Sequence, residues 1–294
     1  MIQEIKYKLV YGTFYVLSLL PFSLLYAFTA VFRMVLYHVV RYRRPIVRKN
    51  LTLSFPDKSP AEILKIEHEF YRFFCNCFVE TIKLMSVSKE NIQRRMTFKG
   101  IDLLHKELET HDFCFLLLGH YGNWEWLATL PLWLQEGVTC SQVYHPLRSA
   151  TFDRLFLHIR GRFGGDNIAK NHTMRRVLSM RAKGKKAVVG FVSDQTPKQI
   201  NIHDWVNFMH QDTGIFTGAE RIGKKVNAAM FYGEMKRIKR GHYCCTYHPI
   251  TADIGSLEKF KVTEIYMRLL EKTICADPVC WLWTHNRWKR KRQS

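Results

Sequence analysis

The chain has 294 residues, 47% of them hydrophobic and 14% aromatic, enough for one large domain or two small ones with a real core. Forty-five Lys and Arg against 25 Asp and Glu give a formal charge of +20 and a pI near 9.7. Such a charge speaks of partners rather than fold: anionic lipid, nucleic acid or an acidic carrier protein. Eight cysteines include no C-x-x-C pair, and several lie inside apolar runs. That argues against a disulfide framework and a clustered zinc site and favours isolated thiols in a reducing compartment.

From Phe14 to Phe32 the sequence carries no charge, with Pro21 inside and Arg33 closing it. The run nears the ~20 apolar residues that span hydrocarbon. A cleaved signal peptide would need a shorter core and a small-residue cleavage site, and none is seen. A transmembrane anchor and a kinked helix that embeds without crossing both remain open. The basic cluster that follows (Arg41, Arg43, Arg44, Arg48, Lys49) points to the cytoplasmic leaflet. The expected division is a membrane-anchoring helix with its basic flank over 1–45 and one large domain over 46–294.

Residues 61–85 carry apolar side chains at helical spacing after Pro60, a favoured first-turn residue. Phe70, Phe73, Phe74 and Phe78 on that helix are expected in the core. Residues 113–118 (FCFLLL) read as a buried strand, broken by Gly119 and His120, with a helix expected over 123–135. Helices are expected over 151–163 and 172–183. Further strands are expected over 187–192 (AVVGFV), 226–233 and 243–250. Buried apolar strands separated by helices imply an α/β fold with a mostly parallel sheet. The tail from Trp281 to Ser294 is aromatic and basic, which suits a membrane interface slightly better than a solvated end.

The chemistry-bearing segment is Gly119-His120-Tyr121-Gly122-Asn123-Trp124-Glu125. It follows a buried strand, where ligands gather in α/β folds. Histidine is the usual general base near neutral pH, and a carboxylate can hold its second nitrogen. Five residues along a regular helix leave two side chains about 140° apart. His120 and Glu125 therefore pair only if His120 lies in the turn and Glu125 in the first helical turn. Gly122 and Asn123 permit that entry, and free N–H groups at the helix start would face an oxyanion. A capped helix start with a surface His and Glu is the bland alternative.

With four further stretches the segment resembles the lipid A biosynthesis acyltransferases, the lauroyl/myristoyl type related to lysophospholipid acyltransferases. These stretches are Tyr144–Arg148 (YHPLR), His158–Gly164 (HIRGRFG), Phe191–Gln195 (FVSDQ) and Thr284–Lys289 (THNRWK), in order from about residue 10 to 292. The family's mark is a His, four residues, then Asp or Glu. The resemblance implies a glycerol-3-phosphate acyltransferase-like domain behind an N-terminal membrane-anchoring helix. His120 is then the general base and Glu125 its orienting carboxylate.

The reaction implied moves a fatty acyl chain from an acyl-carrier-protein or acyl-CoA thioester to a hydroxyl of a lipid A precursor, with no cofactor and no metal. Its place is the cytoplasmic side of the bacterial inner membrane, and an acidic carrier protein suits the basic surface. Arg160 matches a family arginine near the dyad and can fork onto phosphate or an oxyanion, with Arg154 and Arg162 close by in sequence. Arg148 is a second phosphate ligand. Asp194 matches an acidic residue that holds the acceptor hydroxyl or caps the following turn, and Asn123 and Gln195 stand beside these as binding groups. The run Asp194-Gln195-Thr196-Pro197 is similar to some members only, which leaves the acceptor side open; other glycolipids and phospholipids are alternatives. A Cys/His acyl-enzyme through Cys114 or Cys140 is disfavoured, since core thiols fit both positions. Two other classes compete. An inactive membrane scaffold is opposed by the intact His120 and Glu125. A nucleic-acid-binding protein is opposed by the apolar N-terminal run and the lack of a recognisable motif, so nucleic acid is not an expected partner.

Overall fold

The computed structural model describes residues 1–292; the last two residues of the tail, and of the domain expected over 46–294, lie outside it. The N-terminal apolar run is broken at Pro21 into helices α1 (Ile2–Leu19) and α2 (Phe22–Met34), and α2 continues as a π-helical turn, Val35–Val39. The Phe14–Phe32 span is therefore not one helix, because Pro21 caps α2 rather than riding inside it. The stretch long and apolar enough to cross a bilayer is Phe22–Val39.

Helix α3 (Arg44–Ser54) and the long α4 (Pro60–Lys83) follow. Helix α4 starts with a reciprocal capping box between Ser59 and Glu62 and has Pro60 in its first turn. Its polar side chains are put to structural use. Lys83 Nζ donates to the carbonyls of Ser18 and Leu20, closing the end of α1 at 2.6 and 2.9 Å. Glu67, fully buried, accepts from Tyr37, Arg44 and Arg48. Two of the five flanking basic residues are thus bound inward, and Arg43 donates to Thr284 O. Phe70 and Phe73 are buried as expected, but Phe78 is 44% exposed and packs on Phe14 and Phe32 of the N-terminal helices.

The rest of the chain alternates strands and helices: α5 (Lys89–Arg95), β1 (Met96–Lys99), α6 (Ile101–Thr110), β2 (Phe113–Leu118), β3 (Thr139–Tyr144), α7 (Ala150–Gly161), β4 (Asp166–Ala169), α8 (Thr173–Ala182) and β5 (Ala187–Val192). A small β6 (Trp205–Phe208) and β7 (Gln211–Gly214) hairpin precedes α9 (Gly218–Val226), β8 (Ala229–Lys239), β9 (His242–Thr251) and α10 (Lys261–Ala276). Seven strands form one sheet in the order β1-β9-β8-β2-β5-β3-β4. Every neighbouring pair is parallel except β8–β9. The α/β fold with a mostly parallel sheet is as expected. The central strands β2 and β5 are unbroken apolar runs because helices cover both faces. Each fully buried Phe, Leu or Val there contributes about 1.5–3 kcal/mol.

Two stretches differ from expectation. Residues 123–135 form a 3-10 segment, Trp124–Trp133, with Pro131 inside it, so the expected α-helix is absent. Proline lacks the N–H that an α-helix needs at that depth. The strand expected from 226 starts at Ala229, since Val226 ends α9 and Asn227 takes a left-handed cap.

Parallel pairing puts the carboxyl ends of β2, β5, β3 and β4 on one edge of the sheet. The loops that follow them carry His120, Asp194, Arg148 and His172 respectively.

Candidate active site

His120 leaves β2 through a turn that glycine makes feasible. Gly122 has φ +62°, and a Cβ there would come within 2.3 Å of Met235 Cγ. The turn is pinned on its far side by residues near the other end of the chain. Gly122 N donates to Cys280 O at 2.9 Å, and Leu282 N donates to His120 O at 3.0 Å. Tyr121 and Trp281 form an isolated antiparallel bridge.

The carboxylate on His120 is Asp194, not Glu125. His120 Nδ1 donates to Asp194 Oδ1 at 2.5 Å, and the His120 backbone N–H donates to Asp194 Oδ2 at 2.9 Å. Trp281 Nε1 donates to the same Oδ2 at 2.7 Å. The approach follows from the sheet. Strands β2 and β5 are parallel neighbours with Leu118 opposite Val192, so residues two beyond each end meet. Burial works against charge on Asp194, yet His120 beside it and the three hydrogen bonds it accepts hold its carboxyl down at about 2. A charged Asp194 fixes the tautomer: Nδ1 carries the proton and Nε2 keeps its lone pair. The Gln195 amide nitrogen stands 3.1 Å from that Nε2, as a donor to it. Trp124 lies edge-on to the imidazole with ring centroids 5.3 Å apart.

Glu125 faces another way. Its two carboxylate oxygens take a bidentate pair from Arg160 on α7, Nε to Oε2 at 2.8 Å and Nη2 to Oε1 at 2.7 Å. Burial disfavours the Arg160 charge, but Glu125 more than offsets this and raises its pKa. Arg160 Nη1 makes no hydrogen bond to protein among the described residues. The expected His120–Glu125 contact is thus replaced by two pairs, His120–Asp194 and Glu125–Arg160. The 3-10 segment turns Glu125 toward α7, away from the imidazole. Arg160 is the arginine at the site; Arg154 pairs with Glu4, and Arg162 donates to the carbonyls of Leu84 and Val87.

Asn123, expected to bind substrate, instead points into the core. It is 1% exposed and donates to Glu80 Oε2 at 2.8 Å. Arg148 is exposed, on the loop after β3, without a side-chain partner among the described residues. Cys114 and Cys140 are burial-raised thiols at about 12, which suits packing and not nucleophilic attack. An apolar cavity of about 40 Å³ lies beside Arg160 and Trp124, lined also by Leu118, Leu127, Val188 and Val192.

The tail is the part sequence reasoning misplaced. Trp281, Trp283 and Arg287 are buried at 3%, 0% and 2% exposure, and the exposed basic residues begin at Lys289. Asn50 of α3 donates to the carbonyls of Trp283 and His285, clamping the tail. His285 Nε2 accepts the Thr196 backbone N–H at 3.2 Å, next to Gln195. Burial pushes this imidazole down to about 4. Arg287 Nη2 donates to Gly214 O at 2.8 Å, and burial lowers the guanidinium to about 10 despite the pull of Asp194.

Residues 2–290 match the family model described as bacterial lipid A biosynthesis acyltransferase. The chain belongs to that family. A lipid A biosynthesis myristoyltransferase of Escherichia coli (strain K12) is 24% identical over 144 residues, covering 48% of this chain and 43% of that protein. A lipid A biosynthesis acyltransferase of Haemophilus influenzae is 23% identical over 176 residues, 59% of this chain and 55% of that one. A lipid A biosynthesis acyltransferase 1 of Shigella flexneri is 24% identical over 144 residues, 48% and 43%. The chain spans about half the length of the curated relatives it matches. In this family member the imidazole is held from behind by the buried Asp194 and faces the Gln195 amide with its other ring nitrogen.

Proposed function

We propose that this chain is an acyltransferase that moves a fatty acyl group from a thioester donor to a hydroxyl of a lipid A precursor, with His120 as general base. The observation that carries the reading is the His120–Asp194 pair, which leaves the Nε2 lone pair directed at the site. An acceptor hydroxyl would take the place of the Gln195 amide and give its proton to Nε2. Its oxygen then forms a bond to the thioester carbonyl carbon as the C–S bond breaks, and the proton passes from His120 to the leaving thiolate. No covalent enzyme intermediate is needed. The free Nη1 of Arg160 is the donor available to a developing oxyanion or an acceptor phosphate, held in place by Glu125. Arg148 is a rim cation for a second phosphate.

The reading extends to the surroundings. The acyl donor is acyl carrier protein, an acidic partner suited to a chain of charge +20. The sheet with its site on the strand ends supports a glycerol-3-phosphate acyltransferase-like arrangement. Helix α2 exposes Leu24, Phe28, Val31 and Met34, spaced as one helical face, and Val39 and Val40 continue it. That face supports seating in the cytoplasmic leaflet of the bacterial inner membrane, with exposed Arg41 and Lys49 beside it.

The test is transfer from a labelled acyl-carrier-protein thioester to a phosphorylated lipid A precursor in membranes holding wild type or His120→Ala. A heavier lipid with wild type only is the expected result. Thioester loss without a heavier lipid would put the acceptor wrong, equal transfer by both proteins would refute His120 as the base, and an intact thioester with both would leave an inactive scaffold.

A further inference from the structure

Glu80 is a carboxylate that the proposed chemistry does not use. It lies in the last turn of α4 and is fully buried. Three side-chain donors converge on its carboxyl group. Oε1 accepts the Tyr26 hydroxyl at 2.8 Å, and Oε2 accepts both Asn123 Nδ2 and the Tyr243 hydroxyl at 2.8 Å. Glu80's own carbonyl accepts Trp126 Nε1 at 3.1 Å. Among the described residues it has no ion-pair partner within salt-bridge distance. Burial pushes the Glu80 carboxyl up, against the pull of its three hydrogen-bond donors and of Arg240, and removing the side chain would leave those donors orphaned.

The partners come from three places. Tyr26 belongs to α2, whose outer face is apolar and exposed. Tyr243 belongs to β9. Asn123 and Trp126 flank Glu125 in the segment that runs from His120 into the 3-10 turn. Arg240 braces the same junction, donating to Tyr26 O, Thr29 Oγ1 and Asn76 Oδ1 at 3.2, 3.0 and 2.8 Å. Held at Asn123 and at Trp126, the segment between them cannot rotate without breaking a buried hydrogen bond. That fixes the direction of Glu125 and, through it, of Arg160.

We propose that Glu80 is a positioning residue: its carboxylate ties the His120–Glu125 segment to helix α2, so the seat of α2 and the geometry of the site are set together. The proposal rests on the acyl-transfer reading above. Position, not contact with substrate, is what Glu80 supplies, so its loss should appear in turnover and not in substrate binding.

The experiment measures acyl transfer by wild type, Glu80→Gln, Tyr26→Phe and the double variant Glu80→Gln/Asn123→Asp, with rates scaled to folded protein from thermal melts. Glu80→Gln presents an amide to donors. The double variant exchanges amide and acid across the same 2.8 Å contact. Expected are a kcat about 10- to 100-fold lower in Glu80→Gln with KM within about twofold, since small misplacement of catalytic groups has effects of that size. A smaller fall in Tyr26→Phe and partial recovery in the double variant complete the pattern. Unchanged kcat per folded molecule in both single variants overturns the proposal. So does a slow Glu80→Gln with no recovery in the exchange, which reduces Glu80 to packing. If Glu80→Gln does not fold, Tyr26→Phe decides, and unchanged kcat there overturns it. Wild type without transfer would sink the functional reading and this proposal together, whereas active wild type with equally active variants sinks the proposal alone.

Discussion

Asp194→Asn separates the two carboxylates near His120. Asp194 presents two acceptor oxygens to three donors: Oδ2 takes the His120 N–H and Trp281 Nε1, and Oδ1 takes His120 Nδ1. Asparagine has one oxygen. Placed toward the two donors at Oδ2, it leaves its NH2 facing Nδ1. The imidazole then relieves the donor–donor contact by moving its proton to Nε2, where the base should be. The fold stays close to intact, because the amide is isosteric and two of three hydrogen bonds survive. Such a tautomer switch removes about 10^4 in turnover, about 5 kcal/mol of barrier. The assay is initial-rate acyl transfer by Asp194→Asn and Glu125→Gln side by side, with melts to confirm folding. Asp194→Asn should be the slower by at least about tenfold. Should Asp194→Asn keep wild-type turnover within about tenfold while Glu125→Gln is dead, the assignment of the orienting acid to Asp194 fails.

Two further outcomes follow from the same site. His285 is held neutral at about 4 in the fold, against an ordinary value of 6.5, chiefly by burial. Below pH 6.5 the unfolded chain takes up this proton first, so stability falls between about pH 6.5 and 4 and no further, by about 1–2 kcal/mol at pH 5 after allowing for partial solvent screening. Denaturant melts of His285→Gln, which keeps an acceptor for Thr196 N–H but does not titrate, should lack that slope, and parallel curves would contradict it. Arg160→Lys keeps the charge but not the fork on Glu125. Its rate should fall about tenfold or more, and equal activity would show that geometry at Arg160 is immaterial.

Much of this site could be read before any coordinates. The two fully apolar runs at 113–118 and 187–192 became the central strands β2 and β5, and the polar residues just beyond each became the site. What could not be read was pairing. In the sequence Asp194 reads as an acceptor-side or turn-capping residue, but its partner His120 is 74 positions away. Local spacing pointed instead to Glu125. A usable signal did exist, since adjacent parallel strands bring their carboxyl ends together. That adjacency is a property of the sheet and not of either segment. Asn123 was misplaced because an amide near a catalytic His looks alike whether it faces substrate or a buried acid such as Glu80. The burial of Trp281 and Trp283 is not legible, because aromatic and basic composition is the same for an interfacial tail, a solvated one and one buried under its own cations. Arg287 at 2% exposure has no composition signal at all.

The Trp281–Asp194 hydrogen bond joins residues 87 positions apart and closes the site from behind. A ribosome delivers the imidazole, the acid and the Glu–Arg pair well before it delivers the indole that holds the acid still. Until residues 280–287 are made, Asp194 lacks its indole donor and the His120 turn lacks the backbone bonds to Cys280 and Leu282 that pin it.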